Sequence, residues 1–232
     1  MKNIFIIRHG QSEANANVRG LLSEEGKYVI DSAFDITPLG REQAENAAVN
    51  IIHALNLYVQ KPFKRQFTMF TSPYTRTRST AKVMKNILKN RNAEIVKEIE
   101  DPRLVEQDFG DFDFQFRGRW PEISPHSFEI NQAKYYDVTG RFFARLENGE
   151  NLLDVYNRVS LFVTTRLERE MHNTEVENII IVTHGNTMRI LKMFLEDLPI
   201  EEFQKMEVPK NACGYYFTYD KHTGKYKYIG AV

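Results

Sequence analysis

The sequence is short of the features that mark several large protein classes. It has one cysteine, Cys213, in 232 residues. A single thiol cannot close an internal disulfide, fits a reducing compartment, and reads most simply as a small buried side chain. Neither sign of charge is in excess, because 31 Lys and Arg balance 31 Asp and Glu. No global basic field is therefore available for nucleic acid or a membrane surface. No apolar run is long enough to span a bilayer, and the one near the N-terminus is too short for a signal peptide. The expected setting is cytoplasmic, with no nucleic-acid or membrane partner, and oligomeric state stays open. Low-complexity segments are absent, and no Asp, His or Cys set has a metal-ligand spacing, so no metal and no cofactor are expected. What remains is an ordinary globular composition, 42% hydrophobic and 27% charged, on a chain long enough to bury a core as one domain, 1–232.

Two stretches carry unusual chemistry. Ile4 to Ile7 is a short apolar, β-branched run that suits a buried strand. It stops at Arg8-His9-Gly10, and a cation and an imidazole at the carboxyl end of a buried strand are costly unless a ligand needs them. Gly10 lets the backbone turn and approach a ligand. Ser12 onward can open a helix whose free N–H groups would favour an anion. Ile179 to Val182 repeats the pattern and ends at His184-Gly185. Either histidine alone reads as well as a strand cap as a functional group. The pair, with Arg8, points to two imidazoles over one anion pocket.

Between these units, Asn15 to Ile36 reads as a polar loop with one helical turn. Thr37-Pro38 then caps a helix to about Tyr58. Gln66 to Thr71 is a strand ending at Ser72-Pro73, and a helix follows towards Asn90 with Arg76 in its first turn. Ala93 to Ile99 is a third strand. It leads to a loop carrying Glu106 and Asp108, either of which reads as a solvated carboxylate. Roughly 110–150 is aromatic and basic with poor periodicity, an irregular cap insertion over the strand ends. Leu152 to Met171 is one amphipathic helix. Asn186 to Leu195 is apolar nearly all round and should be well buried, and the chain closes on a hairpin, Gly214 to Tyr219 and Lys225 to Ile229. Strands alternating with helices make an α/β fold, a mostly parallel central sheet with helices on both faces and a C-terminal hairpin. His53, His126, His172 and His222 have no assigned role.

The ordered set Arg8-His9-Gly10, Asn15, Ser72-Pro73 with Arg76, Arg78 and Thr80-Ala81, and His184-Gly185 resembles the histidine phosphatase superfamily, phosphoglycerate mutase-like. The stretches Gly140 to Arg145, Gly149 to Asn151 and Asp154 to Val159 resemble its broad-specificity acid phosphatases of fungi and plants. That resemblance implies a metal-independent phosphatase that hydrolyses small phosphorylated substrates through a phosphohistidine. His9 would be the nucleophile, Arg8, Arg76 and His184 would hold the phosphate, and Asn15 and Gly185 would line its pocket. Glu106 would be the general acid, with Asp108 as the competing position, and Arg78 would be structural. A phosphoglycerate mutase is the alternative, although the family's Trp-containing stretch has no counterpart in Asn15 to Asp35. From another class, a catalytically inactive binding module of the same fold is disfavoured by retention of the core residues.

Overall fold

The computed structural model describes residues 1–16, 30–59, 65–110, 140–146, 148–173 and 175–232. Most of the expected cap, including Phe112, Trp120, His126 and Tyr136, lies outside them, as does most of the loop after Asn15. Six strands form one sheet: β1 (Lys2–Arg8), β2 (Gln66–Thr71), β3 (Glu94–Glu100), β4 (Asn178–Thr183), β5 (Gly214–Asp220) and β6 (Lys225–Ala231). Their order is β3-β2-β4-β1-β5-β6. The first four run parallel, and the terminal hairpin adds β5 and β6 antiparallel.

β1 and β4 sit at the centre and are buried on both faces, which is why they read as continuous apolar runs. Alternate side chains divide between two cores. Ile4, Ile6, Ile179 and Ile181 pack with the helix α5 (Leu152–Phe162) and with α7 (Gly185–Glu196). Phe5, Ile7, Ile180 and Val182 pack with α2 (Pro38–Tyr58) and α3 (Thr75–Lys89) on the other side. Each such fully buried side chain contributes about 1.5–3 kcal/mol. The helices begin where their caps demand. Thr37 Oγ1 accepts from Gly40 N at 3.1 Å, and Asn151 and Asp154 make a reciprocal capping box. Short turns complete the helices: α1 (Glu13–Ala16), α4 (Gly140–Phe143) and α6 (Glu168–His172).

Two expectations need correction. The helix expected over Leu152 to Met171 is not uniformly α-helical, because Val163–Leu167 is a π-helical turn between α5 and α6. The Leu161 carbonyl there accepts from the Thr165 hydroxyl and from Arg103 Nη1. Side chains competing for a ladder carbonyl loosen the regular pattern. Cys213 is exposed rather than buried. It lies in the turn before β5, where its main chain is used by Arg8 N and Lys210 O and its side chain is left outside the core.

Gly10 and Gly40 meet backbone to backbone. A Cβ on Gly10 would stand 2.3 Å from Gly40 O, and one on Gly40 would stand 2.2 Å from Gln11 O. Gly10 thus allows close packing against α2. Gly→Ala inside a helix ordinarily stabilises by about 1 kcal/mol. Gly40→Ala should do the opposite, destabilising by about 1–3 kcal/mol as an overpacked contact does. Urea denaturation would decide it; a raised midpoint would mean the two segments are not held together as described.

Candidate active site

Register brings the two histidines together. β1 and β4 pair from Asn3↔Asn178 to Arg8↔Thr183, and His9 N donates to Thr183 O at 3.0 Å. The next residues on the two strands are His9 and His184, with ring centroids 5.3 Å apart. Both rings are buried. His9 Nδ1 lies 2.7 Å from Gly10 O. A carbonyl only accepts, so Nδ1 carries the hydrogen and the lone pair resides on Nε2. Burial, then Arg76, then Arg8 hold the His9 pKa well below its ordinary value. His184 is lowered well below it too, by burial first and then by Arg76. The site therefore presents a neutral, oriented imidazole.

Two guanidinium groups border these rings. Arg8, the last residue of β1, donates from Nη1 to Pro209 O at 2.8 Å. Its Nε is buried without a partner among the described residues, and so is His184 Nδ1. Buried donors left unmade are costly, and they suit an anion that arrives later. Arg76, in the first turn of α3, is 4% exposed. Its fork grips the Asp31 carboxylate, with Nη2 to Oδ2 at 2.8 Å and Nη1 to Oδ1 at 3.2 Å. Tyr74 lies under the Arg76 guanidinium at 4.9 Å and against the His184 ring at 5.0 Å. Burial, then the Asp31 charge, raises its phenol to about 12. Ser72 Oγ, at the end of β2, is 2.8 Å from His184 Nε2.

The third element is a carboxylate on the loop after β3. Glu106 is placed at the N-terminus of α7. Its Oε1 accepts from Gln107 N at 3.0 Å, and the carboxylate also accepts from Asn186 N at 3.2 Å. A Cβ on Gly185 would stand 2.9 Å from Val208 Cγ1, and at ordinary contact distance from Glu106 Oε2 (3.6 Å) and Arg8 Nε (3.8 Å). Gly185 thus lies beside both acid and guanidinium, with its tightest approach to Val208. Asp108 instead ties up its own turn, where its Oδ1 accepts from Gly110 N at 2.8 Å in an exposed position. Asn15 is placed at the rim, where its Oδ1 accepts from Asn211 Nδ2 at 3.0 Å and from Ser12 N at 3.2 Å. Arg78 pairs with Glu100 on the surface, in keeping with a structural reading.

Of the N–H groups expected to be free after Ser12, those of Glu13, Asn15 and Ala16 are engaged, by Asp35 O, Ser12 Oγ and Ser12 O. Sequence reasoning missed Ser72, Tyr74 and Asp31 as site residues. Ser72 and Tyr74 carried a usable signal, since they follow a strand end as His9 and His184 do. Asp31, in a polar loop, carried none. Among the described residues no group of three or more His, Cys, Asp or Glu is placed to hold a metal ion, and no helix is long and apolar enough to cross a membrane.

An oriented neutral imidazole, two guanidinium groups and a nearby carboxylate gather at the strand ends, an arrangement suited to holding a phosphate. Sequence comparison is specific about the family. The histidine phosphatase superfamily, branch 1, matches residues 4–231, and the chain belongs to it. Its members are phosphatases and mutases that act on small phosphorylated substrates. A phosphoglycerate mutase-like protein of Arabidopsis thaliana is 29% identical over 91% of this chain, which spans 63% of that relative's length. A broad-range acid phosphatase of Saccharomyces cerevisiae is 22% identical over 96% of this chain and 87% of its own. In fold, the chain is similar to the crystal structure of the alpha-ribazole phosphatase of Shigella flexneri, with TM-score 0.69 and 22% identity over 98% and 94% of the two chains.

Because the His9 pKa is depressed, the ring should stay neutral until the pH falls well below 6.5. Nitrogen NMR of the ligand-free protein at pH 6 should show His9 with Nδ1 protonated and Nε2 bare. Two protonated nitrogens on His9 at that pH would contradict the assignment of the lone pair.

Proposed function

We propose that the chain is a metal-independent phosphomonoester hydrolase working through a phosphohistidine on His9, as one domain with residues 110–150 as its cap. The observation that supports this most directly is the 2.7 Å contact from His9 Nδ1 to Gly10 O, which leaves Nε2 as the nucleophile. In the first step Nε2 attacks phosphorus and the ester oxygen leaves. Arg8 and Arg76 neutralise charge on the equatorial oxygens, with planar forks suited to phosphate. His184 supplies a further hydrogen bond from Nδ1 when the Ser72 hydroxyl donates to Nε2. Glu106 in its protonated form gives its proton to the departing alkoxide. In the second step a water attacks the phosphohistidine, Glu106 takes the water's proton, orthophosphate departs, and neutral His9 is restored. Such acid–base assistance contributes roughly a hundredfold to ten-thousandfold. Asn15, with its amide oxygen already engaged, would offer its amide nitrogen to a phosphate oxygen.

The name of the Arabidopsis relative favours a second reading, transfer of the phosphate to another hydroxyl of a phosphoglycerate. Turnover of p-nitrophenyl phosphate, beside an assay of phosphoglycerate interconversion, separates the two and also an inactive binding module. The expected result is hydrolysis that survives EDTA, an acid-labile and alkali-stable phosphoprotein, and loss of both in His9→Ala. Full activity in His9→Ala, or label recovered on serine, would overturn the mechanism.

Glu106 can be tested through the leaving group. An alkoxide needs a proton in the transition state, and p-nitrophenolate needs little. Glu106→Gln should slow single-turnover phosphorylation from an alkyl phosphate by about a hundredfold or more, and from p-nitrophenyl phosphate far less. Should Asp108→Asn show that signature instead, the acid is Asp108.

A further inference from the structure

Glu106 sits on a segment without regular structure, so its main chain must be fixed by bonds from the elements around it. The carbonyls of 103 to 106 are all taken by side chains. Thr183 Oγ1 donates to Leu104 O at 2.7 Å and Thr187 Oγ1 to Val105 O at 2.6 Å. The remaining bonds come from one residue, Arg158 on α5. Its Nη1 donates to Arg103 O and Val105 O, both at 2.8 Å, and its Nη2 to Glu106 O at 3.1 Å. The last two donors go to Glu150, Nε to Oε1 at 2.9 Å and Nη2 to Oε2 at 3.0 Å. All five guanidinium hydrogens are thereby used. Glu150 completes the grip on the next residues. Its Oε2 accepts from Asp108 N at 3.0 Å, and its carbonyl from Gln107 Nε2 at 2.9 Å.

We propose that Arg158, oriented by Glu150, is a positioning residue for proton transfer: it fixes the loop so that the Glu106 carboxylate reaches the leaving-group oxygen. The proposal rests on the reading of Glu106 as the general acid. The physical argument is geometric. The side chain is only 15% exposed, and its planar fork bridges three carbonyls of the acid's own segment. A lysine retains the charge but cannot span them. A displacement of about 1 Å in a catalytic group costs on the order of a hundredfold in rate.

The test is single-turnover phosphorylation of His9 by an alkyl phosphate and by p-nitrophenyl phosphate. It uses the unsubstituted chain, Arg158→Lys, Glu106→Gln and the double variant, each checked for a cooperative unfolding transition. Arg158→Lys should lose about ten- to a hundredfold on the alkyl substrate and less than about threefold on the other. In the Glu106→Gln background the same substitution should cost almost nothing more, because the group it positions is gone. Glu150→Gln, which retains one acceptor for the guanidinium, serves if Arg158→Lys does not fold, and should show the same signature at smaller size. Equal losses on both substrates, or a full additional loss in the double variant, would show that Arg158 only stabilises the fold. Failure of Glu106→Gln to discriminate between the substrates sinks the acid assignment, and this proposal with it. A discriminating Glu106→Gln beside a non-discriminating Arg158→Lys sinks this proposal alone.

Discussion

The register between β1 and β4 is the constraint on which the site depends. A slip of one residue would reverse the face of every side chain and separate His9 from His184. Yet both strands are apolar on both faces, so hydrophobic burial alone specifies the register weakly. Polar pins at the opposite end of the sheet supply the difference. Tyr216 OH on β5 donates to Asn3 Oδ1, Asn3 Nδ2 on β1 to Asn178 Oδ1, and Asn178 Nδ2 on β4 to Gln66 O on β2. This chain of buried and part-buried bonds crosses four strands, and a slip would break it, at about 1–3 kcal/mol for each buried polar group left unmade. Lys2, whose ammonium reaches the carbonyls of Glu170, Asn173 and Val176, anchors the same end. Alignment set there is carried along six or so residues of stiff strand, about 20 Å, to the two histidines.

The second constraint is electrostatic. The chain has no net charge, yet its strand ends gather Arg8 and Arg76 in a buried setting. Burying such groups is costly unless they are paired. Here the cost is limited in three ways. The histidines stay neutral, Arg76 is met by Asp31, and Arg8 feels the Glu106 carboxylate, which opposes the effect of its burial. The donors left over, Arg8 Nε and His184 Nδ1, have no partner among the described residues. An incoming anion would complete them.

Much of this was legible in the sequence for a simple reason. β1, β2, β4 and α7 are buried on nearly every side, so their apolar runs carry period, length and ends together, and β2 begins and ends where the sequence places it. His9 and His184 follow strand ends directly, Arg8 closes β1 and Arg76 opens the helix after β2, and a strand end is a fixed place in space. Residues that act through bonds to main chain or from the long polar loop were not legible, and Glu106 was reached only through the family resemblance. Arg158 reads as an ordinary polar position of an amphipathic helix, and Asp31 as one acid among several in a polar loop. Lys2 has no mark in composition or spacing that distinguishes a 1% exposed lysine from a surface one. The π-helical turn follows Leu161, whose carbonyl accepts from Arg103, a residue distant in sequence.

The two carboxylates near the site illustrate how placement separates function from mere charge. Glu106 is held by main-chain donors at the start of α7, and its segment is clamped at every carbonyl from 103 to 106. Asp31 instead lies on the guanidinium fork of Arg76, with a side chain 26% exposed. Any anion that reaches Arg76 must compete with it. A monocarboxylate brings the same charge and the same geometry, and gains nothing over Asp31 at that fork. A phosphate dianion brings a larger charge and further oxygens that Arg8 and His184 can bind at the same time. The Asp31 contact therefore weakens binding of every anion at Arg76, but weakens it least for the ligand that can engage all the cationic and donor groups together.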